Sequence, residues 1–423
     1  MAVILIVVFL LLLILSFPIA TCLGIASVIA LFVEGIPIQM LIQRMVSATN
    51  SFPIMAILFF MLSGEIMSKG DMTKKLIDFT QSIVSCIRGG LAITTELAAM
   101  FFSALSGSSA ATCASIGTIM IDQMEKNNYP KDYSAAVIAA AGITGIVIPP
   151  SITLVVYGVV TGTSVGKLFI GGMIPGVILI LSQCIVSFFI AKKNNYGKVN
   201  KFSIHGVWVK IKESILVLLM PVIILGGIYG GIFTPTEAAV VAVVYSLIIS
   251  FWVERSIKIG DLKSIIVKSI INASVVLFII QAASMFSWIL TSARIPHLIG
   301  ELCVNISSSK IVFLLLLNIV FLIAGMLVTG SATVAILAPI FLPVAISYGI
   351  DPIFLGVLMV VNLSIGYITP PVGVDLYVAG AIARVPIGKI VNKIIPYLIV
   401  LLIDLLLITY IPKIIMFLPG QMQ

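Results

Sequence analysis

Long apolar segments separated by short polar loops run along almost the whole chain. A membrane-spanning helix needs about 20 consecutive apolar residues, and most of the segments have about that length. The pattern therefore predicts an all-α polytopic protein embedded in a lipid bilayer. The predicted segments are 2–33, 51–68, 90–121, 134–160, 168–191, 214–232, 235–253, 270–292, 311–347, 352–383 and 394–418.

Three of these segments do not fit a single straight span. Segments 90–121 and 311–347 each have a turn of small polar residues near the centre, around Gly107 and around Gly330. Each is predicted to be a re-entrant hairpin of two half-helices, because irregular backbone is tolerated at membrane depth only where protein buries it or it lines a cavity. The first segment contains Pro18, and two interpretations stay open for it: one tilted helix or two short ones.

The lysine and arginine residues lie in short loops between the apolar segments, where their distribution indicates topology. The linker 192–213 is rich in lysine and is therefore predicted to be cytoplasmic. Counting crossings from this linker places every basic cluster on the same side, provided that the two hairpins re-enter from opposite faces. The clusters are 69–75 with Arg88, 126–131, 192–212, 255–268 and 384–393.

The two halves of the chain resemble each other at an offset near 221 residues. The segment 145–150 (Gly-Ile-Val-Ile-Pro-Pro) matches 366–371 (Gly-Tyr-Ile-Thr-Pro-Pro), and the Ser-Gly-Ser of 106–108 matches the Thr-Gly-Ser of 329–331. A proline pair cannot continue a helix, so each half contains a helix broken near the middle of the membrane. Because the hairpins open from opposite sides, the halves are predicted to be inverted repeats, as in secondary transporters. The predicted parts are a first repeat (1–191, with hairpin 90–121 and broken helix 134–160), a cytoplasmic basic linker (192–213) and a second repeat (214–423, with hairpin 311–347 and broken helix 352–383).

The four breaks should converge near the membrane centre, where they offer groups of opposite polarity. Before each break the last helical carbonyls carry partial negative charge and can coordinate Na⁺ without a carboxylate. Carbonyls with suitable spacing are those of Ser103, Ser106, Gly145, Ile148, Gly325, Val328, Gly366 and Thr369. After each break a helix N-terminus offers N–H groups to an anionic substrate. Hydroxyls that add to these donors belong to Ser108, Ser109, Thr112, Ser151, Thr153, Ser331 and Thr333.

A simpler interpretation is that these small residues only allow helices to pack closely. It is weaker for a set that occurs twice in matching positions. Among the acidic residues inside apolar segments, Asp375 has three open roles: proton site, substrate-binding group or structural cap. Glu237 is predicted to cap a helix that begins after Thr234. Asp404 is predicted on a packed helix face, and Glu96 lies near the start of the first hairpin without an evident partner.

Composition excludes most other classes of protein. The chain is 61% hydrophobic and 9% charged, whereas soluble domains carry about 25% charged residues. The net charge of +8 follows from the loop lysines, and no nucleic-acid-binding motif accompanies it. The five cysteines are scattered, which favours packing roles, and no hydrolase or metalloprotease motif occurs. The segment 162–168 is one residue too short for a phosphate loop, so no enzyme activity and no nucleotide site is predicted, and an ion gradient is expected to drive transport.

At this point the sequence resembles a known family. The segments 106–112, 142–150, 325–340 and 366–371 are similar to those of the large membrane subunit of tripartite ATP-independent periplasmic (TRAP) transporters, and the resemblance covers essentially the whole chain. It implies a fold of the ion-transporter superfamily, with a scaffold and a mobile elevator domain, in the bacterial inner membrane. It also implies Na⁺-coupled import of an organic acid such as a C4-dicarboxylate, sialic acid or another sugar acid. The implied partners are a small four-helix membrane subunit and a periplasmic substrate-binding protein.

The resemblance also implies two Na⁺ sites and a set of substrate contacts. The substrate contacts fall at Ser108, Thr153 and the tip of the second hairpin. Many family members carry an acidic residue where this chain has Thr329, so the contact there departs from the family pattern. The implied sites are Ser103, Ser106, Gly145, Ile148 and Pro150 for the first Na⁺, and Gly325, Val328, Gly366, Thr369 and Val372 for the second.

Two alternatives to binding-protein-dependent Na⁺ symport remain. One is a stand-alone carrier of the same superfamily that is driven by protons or works by exchange. The other is a membrane scaffold or channel subunit without saturable transport. All three share the predicted fold, and they differ in what drives substrate movement.

Overall fold

The computed structural model describes residues 1–69, 72–199, 202–307 and 309–422, and within these ranges every regular element is helical. The first half of the chain forms ten of the α-helices. They are α1 (Ala2–Ile14), α2 (Ile19–Val33), α3 (Gln39–Thr49), α4 (Met55–Lys69), α5 (Met72–Val84), α6 (Gly90–Ser106), α7 (Ser109–Lys126), α8 (Lys131–Gly142), α9 (Ile152–Thr161) and α10 (Val165–Asn194).

The second half forms another ten in the described residues. They are α11 (Ile204–Tyr229), α12 (Pro235–Ile248), α13 (Ile259–Ser292), α14 (Ile295–Ile306), α15 (Lys310–Leu327), α16 (Gly330–Ser347), α17 (Pro352–Gly366), α18 (Val374–Ala383), α19 (Ile387–Tyr410) and α20 (Lys413–Met416). Short 3-10 segments precede α4 (Phe52–Ile54) and follow α8 (Ile143–Ile146), and a π-helical turn follows α12 (Ile249–Val253).

Eight helical segments in the described ranges are long and apolar enough to cross a membrane. Their surfaces carry many exposed leucine, isoleucine, valine and phenylalanine side chains, as lipid-facing helices do. The prediction of an all-α multi-pass membrane protein is therefore confirmed. The segments are Phe52–Lys69, Val165–Asn194, Ile204–Tyr229, Pro235–Val253, Ile259–Ser292, Lys310–Leu327, Gly330–Ser347 and Ile387–Tyr410.

The first apolar segment, for which two interpretations were open, forms two helices. α1 ends at Ile14, and α2 begins at Ile19 directly after Pro18. Proline has no N–H to donate to the preceding turn, so the chain leaves the helix there, with Ser16 at a positive φ of 63°. Both helices are shorter than a standard span, and α2 packs against α13.

Three helices lie outside the predicted apolar segments: α3, α5 and α14. Each has one apolar and one polar face, so a search for continuous apolar residues passes over it. In α5, for example, Leu76 and Ile77 are buried while Lys74 is exposed. Helices of this kind are predicted from the 3.6-residue spacing of their apolar positions instead of from an unbroken apolar run.

Contacts between loops show which of them lie on the same face. One ion pair joins α4 to α13, and two others join α5 to α11 and to the turn after α12. A hydrogen bond joins the ends of α5 and α10, and a contact between two aromatic rings joins the ends of α7 and α10. These contacts bring all five predicted basic clusters together, on what we call the basic face. The contacts are Lys69–Asp261 (2.8 Å), Lys75–Glu254 (2.6 Å), Lys210–Asp78 (3.4 Å), Lys393–Asp132 (4.0 Å), Arg88–Asn195 and the ring pair Tyr129–Tyr196 (5.7 Å between centroids).

The first hairpin, formed by α6 and α7, opens toward the basic face. α6 begins just after Arg88, and α7 ends at Lys126. The helices pack against each other, and the turn between them lies at Gly107, where the sequence places it. The chain thus enters and leaves this hairpin on the same face of the molecule.

The second hairpin, formed by α15 and α16, opens toward the opposite face. The Lys310 ammonium at its start donates to the carbonyl oxygen of Gly349 at its end, 2.9 Å away. α19 carries Lys393 near the basic face and ends at Tyr410, whose hydroxyl donates to the Ile311 carbonyl oxygen (3.2 Å). Since α19 crosses the molecule, the open end of α15 and α16 lies on the far side from the basic face.

The helices α6–α10 and α15–α19 follow one another in the same order. α8 and α17 begin 221 residues apart, at Lys131 and Pro352, and both proline pairs contain a cis peptide bond. α9 and α18 begin 222 residues apart, at Ile152 and Val374. Their packing partners are exchanged between the halves, because α9 packs on α16 and α18 packs on α7.

The helix ends change one detail of the internal match. α6 ends at Ser106 and α15 at Leu327, and the next helices begin at Ser109 and Gly330, so the offset is 221 at both ends. The predicted alignment of the two Ser/Thr-Gly-Ser triplets is therefore wrong by two residues. The two triplets matched because small polar residues recur by chance. The helix ends on either side of each break give the offset of 221 instead.

Candidate functional site

The first hairpin turn lies directly against the first proline pair. α6 ends at Ser106, and Gly107 turns the chain with a positive φ of 61°, which glycine adopts without strain. A Cβ atom on Gly107 would lie 2.7 Å from the carbonyl oxygen of Pro150, so a larger residue does not fit. The amide of Ile152 donates to the Gly107 carbonyl oxygen (3.4 Å). The backbone of the hairpin turn is therefore in direct contact with the backbone that follows the proline pair.

Gly145 makes a second close approach at the first break. A Cβ atom there would lie 2.5 Å from the carbonyl oxygen of Ser108 and 2.7 Å from the amide nitrogen of Ser109. Beside this contact the hydroxyls of Ser103 and Thr144 are 2.9 Å apart. Thr144 was not predicted as a site residue, although it lies next to the predicted Gly145.

The residues predicted for the first Na⁺ site are all buried around this contact. The carbonyl oxygens of Ser106, Gly145 and Ile148 accept no backbone hydrogen bond from the described residues. Free carbonyl oxygens at a helix break are the kind of ligand that transporters use for Na⁺. The donor set therefore fits Na⁺. The buried residues are Ser103, Ser106, Gly145, Ile148 and Pro150.

The second break is built from the same kind of contact. A Cβ atom on Gly366 would lie 2.6 Å from the carbonyl carbon of Gly325, and one on Gly325 would lie 2.9 Å from the Cα atom of Leu363. The hydroxyl of Tyr367 accepts a hydrogen bond from the amide of Gly330, the first residue of α16. Tyr367 belongs to the matching segment 366–371, but no role was predicted for it.

The second break is more open than the first. Val328 and Thr369 are half-buried, Thr329 is exposed, and Val372 is 37% exposed. The carbonyl oxygens of Gly325 and Val328 accept no backbone hydrogen bond from the described part of the chain. This donor set also fits Na⁺, and it lies closer to solvent than the first.

Two contacts join the halves at the starts of helices. Ser109, the first residue of α7, donates to Asp375, the second residue of α18, and lies 2.9 Å from the carbonyl oxygen of Gly142. In the equivalent place Gly330, the first residue of α16, lies beside Thr153, the second residue of α9: a Cβ atom on Gly330 would be 3.5 Å from the Thr153 hydroxyl. The first contact is a hydrogen bond to a carboxyl group, and the second is a van der Waals contact.

Asp375 is fully buried, and its Oδ1 atom has no hydrogen-bond partner among the described residues. Its amide donates to the carbonyl oxygen of Tyr367 (3.1 Å). Of the three roles open for Asp375, the structural one is what this geometry favours, because Ser109 of the first hairpin donates to its carboxyl group and its amide donates to the Tyr367 carbonyl oxygen.

The hydroxyls predicted near the first break already have partners inside the protein. Ser151 caps α9, because it accepts from the amide of Leu154 (3.2 Å) and donates to the carbonyl oxygen of Ile146 (2.5 Å). Thr112 is 2.9 Å from the Ser106 hydroxyl. Ser108 caps α7 and is half-buried.

Of the hydroxyls predicted near the second break, only that of Thr329 belongs to an exposed residue. Ser331 is half-buried, and Thr333 is buried with its hydroxyl 3.1 Å from the carbonyl oxygen of Thr329. Thr153 is 2% exposed and faces Gly330. The solvent-accessible part of the second break is therefore formed by Thr329 together with the half-buried Ser331, Val328 and Thr369.

Comparison with known proteins gives a family match over nearly the whole chain. The family model described as "Tripartite ATP-independent periplasmic transporter, DctM component" matches residues 6–414. A Pseudomonas aeruginosa protein named as a C4-dicarboxylate TRAP transporter large permease is 43% identical over 90% of each chain. A Vibrio cholerae protein named as a sialic acid TRAP transporter large permease is 35% identical over 89% of this chain and 88% of its own.

Another relative, an Oleidesulfovibrio alaskensis protein named as an isethionate TRAP transporter permease, is 40% identical over 97% of this chain, which spans 65% of that protein. Among solved structures, the YdaH transporter of Alcanivorax borkumensis superimposes with a TM-score of 0.63 at 15% identity. The superposition covers 87% of this chain and 86% of that one. It shows a shared fold.

Proposed function

We propose that this chain, which belongs to the DctM-component family of tripartite ATP-independent periplasmic transporters, carries a small organic anion across the bacterial inner membrane together with Na⁺. Its partners in this proposal are a small four-helix membrane subunit and a periplasmic substrate-binding protein. The observation that carries the proposal is the pair of breaks, at each of which a glycine of the broken helix, Gly145 or Gly366, lies directly against the backbone of a hairpin.

The breaks support Na⁺ coupling because they expose carbonyl oxygens without exposing carboxylates. At the first break the carbonyls of Ser106, Gly145 and Ile148 would hold Na⁺, and at the second those of Gly325 and Val328 would contribute. Bound Na⁺ would supply positive charge near the helix N-termini that receive the anion. The protein holds these oxygens in place through glycine contacts, which fix the distance between hairpin and broken helix.

We further propose that the two sets of helices are inverted repeats and that they move as an elevator. The breaks lie in α6–α9 and α15–α18, which interlock across the halves through α9 on α16 and α18 on α7. Such interlocked helices move together more readily than apart, because separating them would expose both breaks. Helices α1–α5 and α11–α13, linked by the ion pairs of the basic face, would form the scaffold.

The substrate in this proposal binds at the second break. Thr329 and Ser331 are accessible there, and the N-termini of α16 and α9 meet beside Gly330 and Thr153. Helix N-termini offer N–H groups and a favourable dipole to an anion. The names of the relatives, which include a C4-dicarboxylate, sialic acid and isethionate, point to an organic anion as the substrate class.

The proposal is tested by uptake into proteoliposomes that contain this chain and its small subunit, with the binding protein outside. Labelled succinate, N-acetylneuraminate and isethionate serve as probes, after the binding protein's own ligand has been measured. We expect uptake of one probe, and we expect it to require both the Na⁺ gradient and the binding protein. Uptake that continues when choline replaces Na⁺ would overturn the coupling.

The same experiment separates the alternatives. A stand-alone carrier driven by protons or exchange would take up substrate without the binding protein, in response to a pH gradient or to substrate loaded inside. A channel or scaffold subunit would show ion conductance or no flux, without saturation by substrate. Saturable uptake that needs Na⁺ and all three components favours the proposed function over both.

A further inference from the structure

Glu96 is a buried acidic residue that the proposed transport site does not use. It lies in α6, about two turns before Ser103, and is completely buried. The Ser187 hydroxyl of α10 donates to its Oε1 atom at 2.5 Å. Its Oε2 atom has no hydrogen-bond partner among the described residues, and none of their ion pairs includes it.

A row of hydroxyls leads from Glu96 toward the basic face. The Ser187 hydroxyl is 2.5 Å from that of Tyr397 in α19, which is 3.1 Å from that of Tyr133 in α8. Tyr133 lies in the first turn of α8, two residues after Lys131. The row thus joins four helices and ends beside the loop that carries the basic residues.

Few titratable groups face Glu96 from the surrounding helices. They are Cys184 from α10, Tyr397 from α19 and the tyrosines at the start of α8, and all of these are neutral in their ordinary state. The nearest buried acid on these helices, Asp404, is bonded to Ser182 at 2.5 Å, about two turns along α19 from Tyr397. The charged residues of α4, α5, α8 and α11 that lie near the basic face are exposed or form ion pairs there.

The second half has a neutral hydrogen-bonded pair near the matching place, one residue away from the offset of 221 that the hairpin helix ends give. The Asn318 side-chain amide of α15 donates to the Thr409 hydroxyl of α19 at 2.9 Å. These two residues are 91 positions apart, as are Glu96 and Ser187. Neutral side chains thus join a hairpin helix to its neighbour near this place in the second half without a buried charge.

We propose that Glu96 is a proton-binding site that is loaded from the basic face through the hydroxyls of Tyr133, Tyr397 and Ser187. An ionised carboxylate without a cation is costly inside a membrane protein, so the carboxyl group keeps its proton while the four helices are packed. The proton leaves when α6, α10 and α19 separate and water reaches the group. Proton binding then favours the packed arrangement, and transport depends on pH at the basic face independently of Na⁺.

Infrared difference spectroscopy on the purified membrane complex tests the protonation directly. At neutral pH the wild type minus Glu96→Gln spectrum should contain the C=O stretch of a protonated carboxylic acid. The matching spectra of Asp375→Asn and Asp404→Asn identify the bands of the other buried acids. If the wild type minus Glu96→Gln spectrum contained only the bands of an ionised carboxylate, the proposal would be overturned.

Tyr397→Phe tests the route, and it keeps the proposal testable if the Glu96 variant is unstable. This change removes the central hydroxyl of the row and leaves Glu96 in place. After transfer to heavy water, the acid band of the variant should shift more slowly than that of the wild type, because the proton exchanges through the row. Equal exchange rates would contradict the route.

The functional test measures Na⁺-driven uptake at a fixed Na⁺ gradient while pH is varied on the basic face only. Wild-type uptake should change by up to about tenfold per pH unit, the limit for one proton, and the Glu96→Gln profile should be flat. Glu125→Gln, the same change at an exposed residue of the same face, should keep the wild-type profile. If Glu96→Gln keeps that profile too, the proposal fails. Replacement of Na⁺ by choline reports on Na⁺ coupling separately.

Discussion

The two breaks of this protein have the same backbone plan and different surroundings. At both, a glycine of the broken helix contacts hairpin backbone so closely that no side chain fits: Gly145 contacts the turn of the first hairpin, and Gly366 contacts the last turn of α15 in the second. The first break is buried except at the half-buried Ser108, its hydroxyls have partners inside the protein, and Ser109 donates to Asp375 of the other half. The second break has exposed residues, and its equivalent contact between the halves is not a hydrogen bond to a carboxyl group.

In a fully symmetric pair both breaks would position carbonyl oxygens and both would contact the substrate. The difference between the breaks suggests that they share only the first of these two tasks. Under the proposed function both breaks need carbonyl oxygens held at fixed positions, which accounts for the repeated backbone contacts. Only the second break has to meet the substrate in that proposal, which accounts for the different side chains. The first break adds a hydrogen bond between the halves, whereas the second has the exposed Thr329, where an anion would have room.

The largest effects should be equal at the two breaks. Gly145→Ala and Gly366→Ala each place a methyl group about 2.5 Å from backbone atoms, which cannot move aside as a side chain would. We expect each change to destabilise the protein by about 3 kcal/mol or more and to abolish uptake. Gly226→Ala, in an open position of α11, should change stability by no more than about 1 kcal/mol.

Thermal unfolding in detergent and size-exclusion profiles would measure this. If Gly366→Ala were tolerated while Gly145→Ala was not, the breaks would not share one backbone plan, and the comparison would fail at its first point.

The next effect should be asymmetric. Asp375→Ala removes one hydrogen bond between the halves and leaves the buried Ser109 hydroxyl with one partner fewer, which costs about 1–3 kcal/mol. The matching change Thr153→Val removes no hydrogen bond to the other half and should cost less than about 1 kcal/mol. Apparent melting temperatures of both variants measure the difference. Equal losses would show that the cross-half contacts are equivalent after all.

A smaller effect should appear only in substrate binding. Thr329→Asp places a negative charge on the exposed part of the second break, so it should raise the KM for an anionic substrate about tenfold, or about 1.4 kcal/mol, while the melting temperature stays the same. Thr329→Asn, the neutral counterpart, should keep KM close to the wild-type value. Unchanged KM in the aspartate variant would place the substrate elsewhere.

The smallest effects concern Na⁺, because its expected ligands are carbonyl oxygens. Ser103→Ala removes the hydroxyl that meets Thr144 and should raise the Na⁺ concentration for half-maximal uptake about threefold to tenfold. Thr369→Ala removes a hydroxyl that, among the described residues, bonds only to the Ile365 carbonyl oxygen near the end of α17, and it should change that concentration less than about twofold. Na⁺ titrations of uptake measure both. Loss of Na⁺ dependence in Thr369→Ala would indicate a side-chain ligand.

Local sequence predicted the parts of the fold that depend on a few neighbouring residues. Apolar segments indicated the spans, and the glycine at 107 and the two proline pairs marked breaks where the helices do end. The predicted cap of α12 is confirmed as a capping box between Thr234 and Glu237. These features were predictable because a glycine, a proline or a capping side chain acts on its own turn.

Other features needed contacts between distant segments. The partners of Glu96 and Asp375 lie 91 and 266 residues away, so no local pattern indicates them. The amphipathic helix α5 was missed because its apolar residues are interrupted by polar ones. The alignment of the hairpin turns was wrong by two residues, since small polar residues repeat by chance more easily than helix ends do.

The sequence by itself determined that this is a helical membrane protein of the TRAP transporter family with four backbone breaks, because burial in lipid and the chemistry of glycine and proline are local constraints. Tertiary structure alone decided that α9 packs on α16 and α18 on α7, that the first break is closed, and that the second is open. Those outcomes depend on which surfaces remain uncovered once all helices are packed, and that is a property of the whole chain.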